Sequence, residues 1–472
     1  MLPTGLSGEP QSLRGLNRAD AVAKSEIPDV SLRALKFAGC ESKLMEPVHV
    51  LWRRRTVTHI RDEPKRAESR FGSIEGSLAL KALGIQLWCW NYTPEPTAMG
   101  PIATLWARMM LEQGHDVSVV TAHPHYPPLW GSSARPYREV RDGVPVLRLP
   151  IWAGHRRVAA RIHEEATYAA AAAAALAVLK PPEVYVVVSP SFAALAPMIV
   201  NRRLRRRPWV LWLQDLLPDA ATTTGLLREG RAVSLARRLE RAAYRSADRI
   251  VVISDTFRAA LLRKGVPPEK LTRIYNPATR GFAKRPRTPS NELRVLSLGN
   301  IGYSQGLDRL IRAFERSQVR GRLVILGTGE QAATLANEVR SDRVEIRGLV
   351  EAAEVDRELA QADLALIGQR PDVSEFNVPS RIMTLMARGI PLVAAVRPDS
   401  EVRRIVEEAG AGWTFDAARP EDLPKVLTEA AAAPSQVEQR SAAALRYAQE
   451  HFAPDRFVTA FEQVLAGVKM RL

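Results

Sequence analysis

The chain has 472 residues, 46% of them hydrophobic and 25% charged. That length holds two large domains plus an appendage, and the composition excludes wholesale disorder and a polytopic membrane protein. The net charge of +16 is unevenly spread: residues 1–80 carry 13 Lys and Arg against 10 Asp and Glu, residues 81–290 carry 31 against 15, and residues 291–472 carry 23 against 26. The excess sits in the middle segment, which implies a domain facing a polyanion, either nucleic acid or an anionic lipid surface. Two cysteines, Cys40 and Cys89, are too few for a disulfide scaffold and have no CxxC spacing for zinc or redox work, so the compartment is expected to be reducing.

Residues 1–80 lack hydrophobic periodicity and read as a poorly ordered N-terminal extension. Arg14, Arg18, Asp20, Lys24 and Glu26 interrupt every candidate signal-peptide core. At Gly84 the character changes. Gly84 to Trp90 reads as a buried strand, Asn91 to Gly100 as a loop, and Pro101 onward as a helix that Gly114 ends before the strand Asp116 to Thr121. Apolar runs at 144–150, 184–189, 209–214 and 249–254 then alternate with helical patterns. Ala166 to Leu179 is apolar at 13 of 14 positions, but it is too short and alanine-rich to cross a bilayer. After the linker Pro277 to Pro289 a second series of strands follows at 293–299, 322–327, 344–349, 363–368 and 391–396. Strands alternating with helices imply parallel sheets wrapped on both faces, hence two doubly wound α/β domains at 81–288 and 289–472. Ligands in such sheets bind at the carboxyl ends of strands, and with two domains the cleft between them is the natural site.

The strand-to-helix loops therefore hold the candidate residues. Gly100 ends the first loop at a helix N-terminus, where free N–H groups suit a phosphate, although Gly-Pro is also ordinary punctuation. His123 and His125 stand two apart with no third ligand nearby, which favours hydrogen bonding to substrate over zinc. Ser191 leads into a helix, and Asp215 ends a strongly hydrophobic strand, where a carboxylate is costly unless used or paired. Asp219 binds an acceptor or caps a helix. In the second half, Gly299, Asn300, Gly302, Gln305 and Gly306 precede a helix, and Gly327 and Gly329 end the next strand, letting backbone approach a diphosphate. Neither loop is a P-loop, and no GxGxxG follows the first strand.

The most specific string is Glu375 to Ala394, containing Val378-Pro379-Ser380-Arg381 and Ala387-Arg388-Gly389-Ile390-Pro391. It resembles the VPSK…AxGxP segment of retaining GT-B glycosyltransferases, the group called family 4. Gly114-His115-Asp116-Val117, Gln214 to Asp219, Ile253 to Asn276 and Gly299 to Leu307 resemble that group's other blocks in order, over about residues 84–470. The subgroup it is most similar to contains exopolysaccharide and colanic-acid-type transferases. The resemblance implies a GT-B fold, with two Rossmann-like domains facing across a cleft, an acceptor domain first and a donor domain second, and a terminal helix returning to the first. It implies a nucleotide diphosphate sugar as donor, a lipid-linked glycan as acceptor, retention at the anomeric carbon, and no metal or other cofactor.

The departures shape the expected site. Many relatives hold the diphosphate with an Arg and a Lys where Asn300 and Gln305 stand here, and the ribose with a Glu where Thr384 stands. Arg381, at the family's Lys position, thus becomes the leading diphosphate partner, since a guanidinium engages phosphate bidentately. Gly327, Gly329, Val378, Pro379 and Ser380 complete the expected donor site. Glu95, His125 and Asp215 are expected to guide the acceptor hydroxyl catalytically, with Gly100, Ser191 and Asp219 binding the acceptor. Two rivals differ in kind. A nucleotide-sugar 2-epimerase of the same fold would need no acceptor. A nucleic-acid binder would explain the charge, but no reading motif appears and aromatics do not interleave with the basic runs, so no nucleic-acid partner is expected. The expected location is cytoplasmic, peripheral on the inner face of the membrane. Because the resemblance begins only near Gly84, a chain starting near Ser77 should remain soluble and active by gel filtration and turnover. Aggregation of that shortened chain would show that the extension packs into the first domain.

Overall fold

The computed structural model describes residues 82–95, 99–125, 135–151, 158–189, 192–215, 230–283, 292–372 and 378–469. The expected extension at 1–80 lies outside them. Residues 76–472 form one compact unit that contains two sheets.

The first sheet holds β1 (Gly84–Cys89), β2 (Asp116–Ala122), β3 (Tyr137–Arg141), β4 (Val144–Leu149), β5 (Val184–Ser189), β6 (Trp209–Leu213), β7 (Arg249–Val252) and β8 (Leu271–Arg273). Their order in space is β3-β4-β2-β1-β5-β6-β7-β8. All pairs are parallel except the β3–β4 hairpin. Its turn residues Asp142 and Gly143 both have positive φ (49° and 78°), the geometry that matches strand twist. β3 escaped sequence reading because it is an exposed, charged edge strand with no apolar run. The central strands β5 and β6 are buried throughout, as parallel strands covered on both faces require.

Helices α1 (Gly100–Glu112), α2 (Val158–Val178), α3 (Phe192–Arg205), α4 (Arg231–Ser246) and α5 (Asp255–Arg263) wrap this sheet. One core joins Tyr168 and Leu176 of α2, Leu195 and Met198 of α3 and Tyr244 of α4 to one face of the sheet. No helix among the described residues is long and apolar enough to cross a membrane.

The second sheet holds β9 (Leu293–Leu298), β10 (Gly321–Leu326), β11 (Val344–Arg347), β12 (Leu364–Gly368), β13 (Leu392–Val396) and β14 (Gly412–Asp416), in the order β11-β10-β9-β12-β13-β14. Around it run α6 (Leu307–Arg316), α7 (Ala332–Glu338), α8 (Ala352–Gln361), α9 (Arg381–Ala387), α10 (Glu401–Ala409), α11 (Leu423–Ala432) and α12 (Pro434–His451). In both sheets the strand order reverses beside the first strand, at β1/β5 and β9/β12, and there the carboxyl ends open a crevice. The last helix, α13 (Pro454–Lys469), leaves the second sheet and buries Phe457, Phe461 and Leu465 in the core beneath the first. Phe461 packs on Trp212 and Trp106, with ring centroids 4.8 and 5.6 Å apart.

A polar knot joins the two lobes. Glu401, the first residue of α10, accepts hydrogen bonds from the N–H groups of Asp255 and Thr256 (3.3 and 3.2 Å) at the start of α5 in the other lobe. Its carboxylate thus caps the positive end of that helix. Tyr275 donates its hydroxyl to the same carboxylate (2.8 Å), Arg404 pairs with it, and Arg404 also reaches Asp255 (3.1 Å). Burial pushes the Glu401 carboxyl up, but the hydrogen bonds from Arg404, Tyr275 and Thr256 outweigh it and hold the group below its ordinary range. A depressed carboxyl stabilises the fold above its unfolded pKa of about 4.3, and that contribution fades as pH falls through the lower folded value. Glu401→Gln should therefore cost ~1–3 kcal/mol near neutrality, mainly by stranding donors, because Arg404 is partly solvated. Denaturant unfolding of both proteins should show that gap closing at acid pH. A gap that is constant down to pH ~3 would show that the charge contributes nothing.

Candidate active site

On the first lobe the chain leaves β1 through Trp90 and Asn91 into the loop before α1. Glu95 in this loop is 2% exposed, and a buried carboxylate requires donors. Its Oε2 accepts from Asn91 Nδ2 (3.2 Å) and the Tyr92 N–H (3.3 Å), and its Oε1 from the His125 N–H (3.1 Å). The His125 ring completes the cluster, with Nδ1 2.9 Å from the His123 carbonyl and 3.3 Å from Glu95 Oε1. The Trp90 indole N–H donates to His125 Nε2 at 2.7 Å. Since an indole nitrogen only donates, Nε2 is an acceptor and the proton sits on Nδ1. The Trp90 indole thus selects the tautomer of His125 with its proton on Nδ1, and Nε2 is open to a substrate only when that indole turns aside.

Sequence reading brought Glu95 and His125 forward, and the structure joins them directly. It missed Trp90, whose position one residue beyond β1 makes it look like a core aromatic. It also missed Arg148, a fully buried cation on β4 that donates to Glu139 (2.9 Å), to the Ala122 carbonyl (3.2 Å) and to the Thr93 carbonyl. Arg148 thereby ties the Glu95 loop to the end of β2. Gly100 faces the Glu95 carbonyl, and a Cβ there would lie 2.6 Å from that oxygen, so close packing of loop on helix accounts for its being glycine. Asp215 lies half-buried just past β6. The adjacent Gln214 exchanges two amide hydrogen bonds with Asn276 (3.0 and 2.8 Å), linking that strand end to the segment that leaves the lobe. Ser191 and Asp219 lie outside the described residues. Burial pushes the Cys89 thiol up to about 12, so it stays protonated and is no nucleophile.

On the second lobe, the loop Gly299 to Gly306 connects β9 to α6 at the switch point. Gly299 (φ 116°) stands over the Arg381 guanidinium, where a Cβ would lie 3.3 Å from Nη1. Arg381, at the start of α9, donates to the Leu298 carbonyl (3.2 Å) and to Gln305 Oε1. Gln305 and Arg381 thus form one unit, with the neutral side chain aiming the cation. Asn300 and Ser380 are exposed beside it, Val378 is a core residue, the Pro379 carbonyl accepts the Ile382 N–H (2.9 Å) as α9 begins, and Thr384 is buried.

Gly302 lies against Asn300, and Gly306 (φ 59°) against Arg370. Gly327 and Gly329 have a packing requirement beside the close ligand approach expected of them. A Cβ would fall 1.7 Å from the Gly299 carbonyl at Gly327 and 2.3 Å from the Ile301 carbonyl at Gly329, so both are required by one loop stacking on the next. Arg370, beyond the end of β12, was missed. It donates to the Tyr303 carbonyl (3.0 Å), pairs with Asp308 (2.9 Å) and lies 4.0 Å from the centre of the partly exposed Tyr303 ring. Its place after a buried strand at the switch point is the signal that singled out Asp215, and it applied equally here. Two guanidiniums therefore flank a glycine loop at the carboxyl edge of the second sheet, an arrangement suited to a diphosphate.

Comparison with known proteins agrees with this architecture. Residues 97–277 match the glycosyl transferase 4-like domain, and residues 281–447 match glycosyl transferases group 1. The chain is 28% identical over 236 residues to the Pseudomonas aeruginosa protein WbjE, named as a glycosyltransferase, covering 47% of this chain and 59% of that one. It is 25% identical over 345 residues to Escherichia coli K12 WcaI, named as a glycosyl transferase of colanic acid biosynthesis, covering 67% of this chain and 84% of that one. Among solved structures, the sucrose-phosphate synthase of Thermosynechococcus elongatus superposes with a TM-score of 0.64 at 14% identity, covering 82% of this chain and 99% of that one. Anabaena Alr3699/HepE in complex with UDP-glucose superposes with a TM-score of 0.60 at 17% identity, covering 82% of this chain and 100% of that one. Matched domain by domain over most of its described length, the chain belongs to the glycosyltransferases of GT-B fold, with a 4-like domain followed by a group 1 domain.

Proposed function

We propose that the protein transfers a sugar, with retention, from a nucleotide diphosphate sugar to a lipid-linked glycan acceptor in exopolysaccharide or surface-polysaccharide biosynthesis. The observation that carries this reading is the glycine loop 299–306 lying over Arg381 at the switch point of the second sheet. The names of WcaI and of the UDP-glucose complex of Alr3699/HepE support the pathway and the donor class. As the bond from sugar to diphosphate breaks, negative charge grows on the leaving group. Backbone N–H groups of the loop and the Arg381 guanidinium stabilise that charge without needing a metal. The acceptor hydroxyl enters from the first lobe beside His125 and Asp215, with Glu95 holding His125 in place. The protein works in the cytoplasm, peripherally on the inner face of the membrane.

A panel of nucleotide sugars, offered with and without a diphosphate-lipid-linked sugar, tests the reading through nucleotide release and the anomeric configuration of the product. Acceptor-dependent release with retained configuration is expected; epimer formation without acceptor would replace transfer by epimerisation. Arg381→Ala should lower kcat by ~10²–10³, the scale for one oriented transition-state donor. Activity within threefold of wild type would take Arg381 out of the site. His125→Ala should lower kcat by ~10²-fold at unchanged donor KM, the low end for a lost acid-base group. Trp90→Phe, which leaves Nε2 open, should stay within a few fold of wild type. An undiminished kcat for His125→Ala would assign the Glu95–His125 pair to loop structure alone.

A further inference from the structure

Helices α2, α3 and α4 lie side by side on one face of the first sheet, and their outward stripes form a single surface. On α3 the exposed positions include Val200, Arg203 and Leu204, a spacing that puts them on one side. On α4 they are Leu235, Arg238, Arg241 and Arg245, again on one side. Leu204 is 78% and Leu235 67% exposed, and Val178 at the end of α2 is 82% exposed. Such aliphatic groups do not gather on a surface without a use as readily as single ones do. α3 contains no acidic residue, and the one acid of α4, Glu240, is turned inward to Lys264 and Tyr244. Nothing on these two helices therefore neutralises the arginines of the exposed stripe. Arg202 and Arg205, which do have partners, face sideways to Asp248 and to the carbonyl end of α2.

We infer that this α3–α4 face is a docking surface for an anionic lipid bilayer, with Leu204 and Leu235 entering the interface and the arginines meeting lipid phosphates. The inference deepens the membrane reading above and rests on it only for the identity of the membrane. Charge complementarity selects the occupant: a layer of arginines without acids suits an anionic plane, and aliphatic tips between them suit acyl chains. Nucleic acid fits less well, because among the described residues the exposed stripe carries no aromatic ring for base stacking.

The test is sedimentation of the full chain with vesicles of phosphatidylcholine alone and of phosphatidylcholine mixed equally with phosphatidylglycerol, in low and high salt, with no sugar donor or acceptor present. The full chain should bind the mixed vesicles only, and salt should weaken binding. Changing Arg238, Arg241 and Arg245 together to Ser should weaken partitioning about a hundredfold, since each basic residue near an anionic surface contributes several-fold. Leu204→Ser with Leu235→Ser should weaken it at every salt concentration. Changing the exposed Arg316, Arg320 and Arg322 of the second lobe to Ser removes equal charge and should leave binding unaltered; equal loss there would show that net charge, not this face, is responsible. Equal binding to neutral and mixed vesicles, or wild-type binding by the α4 triple variant, overturns the inference. Transfer to a soluble acceptor, measured separately, distinguishes its failure from failure of the transferase reading: vesicle binding lost with transfer intact supports the surface.

Discussion

The carboxylate of Glu401 belongs to one lobe and completes a helix of the other. A helix start leaves N–H groups without partners, and at α5 two of them are satisfied from across the molecule. Tyr275 and Arg404 saturate the same carboxylate, and the Arg273 guanidinium lies 4.3 Å from the centre of the Tyr275 ring. Separation of the lobes here would exchange all of these cross-lobe hydrogen bonds for bonds to water. The knot therefore fastens the two lobes at this point through one shared carboxylate.

The two halves of the candidate site are preorganised by different means. On the first lobe, hydrogen bonds to a buried acid fix the loop, and the loop fixes a histidine tautomer. On the second lobe, stacking of backbone on backbone fixes the loop, and a glutamine then fixes the orientation of a cation. In this arrangement the neutral amide of Gln305 and the Leu298 carbonyl together fix the Arg381 guanidinium. A single guanidinium held by an amide loses little side-chain entropy when an anion arrives.

Most of the architecture was legible because parallel strands buried on both faces advertise themselves as apolar runs. β5, β6, β12 and β13 are of that kind. β3 and β8 were not legible, since an edge strand needs little apolar surface and three residues carry no periodicity. Among site residues, Arg381 and His125 stood out because polar groups at the ends of buried strands or in a recognisable string are costly accidents. Trp90 and Arg148 did not, because what they do depends on which distant groups the fold sets beside them. The glycines were visible, but two of their reasons were not: the carbonyl that excludes a side chain at Gly327 comes from 28 residues earlier in the chain, at Gly299.

The return of α13 also constrains how the protein is made. Trp106 and Trp212 of the first lobe wait for Phe457 and Phe461, which leave the ribosome only after the whole second lobe. The first domain to emerge is thus the last whose core is closed, and until then it presents an apolar trough to the crowded cell interior. The two halves are in this sense a single unit of synthesis. An exchange of the second domain for that of a related enzyme would have to carry along a helix matched to the underside of the first.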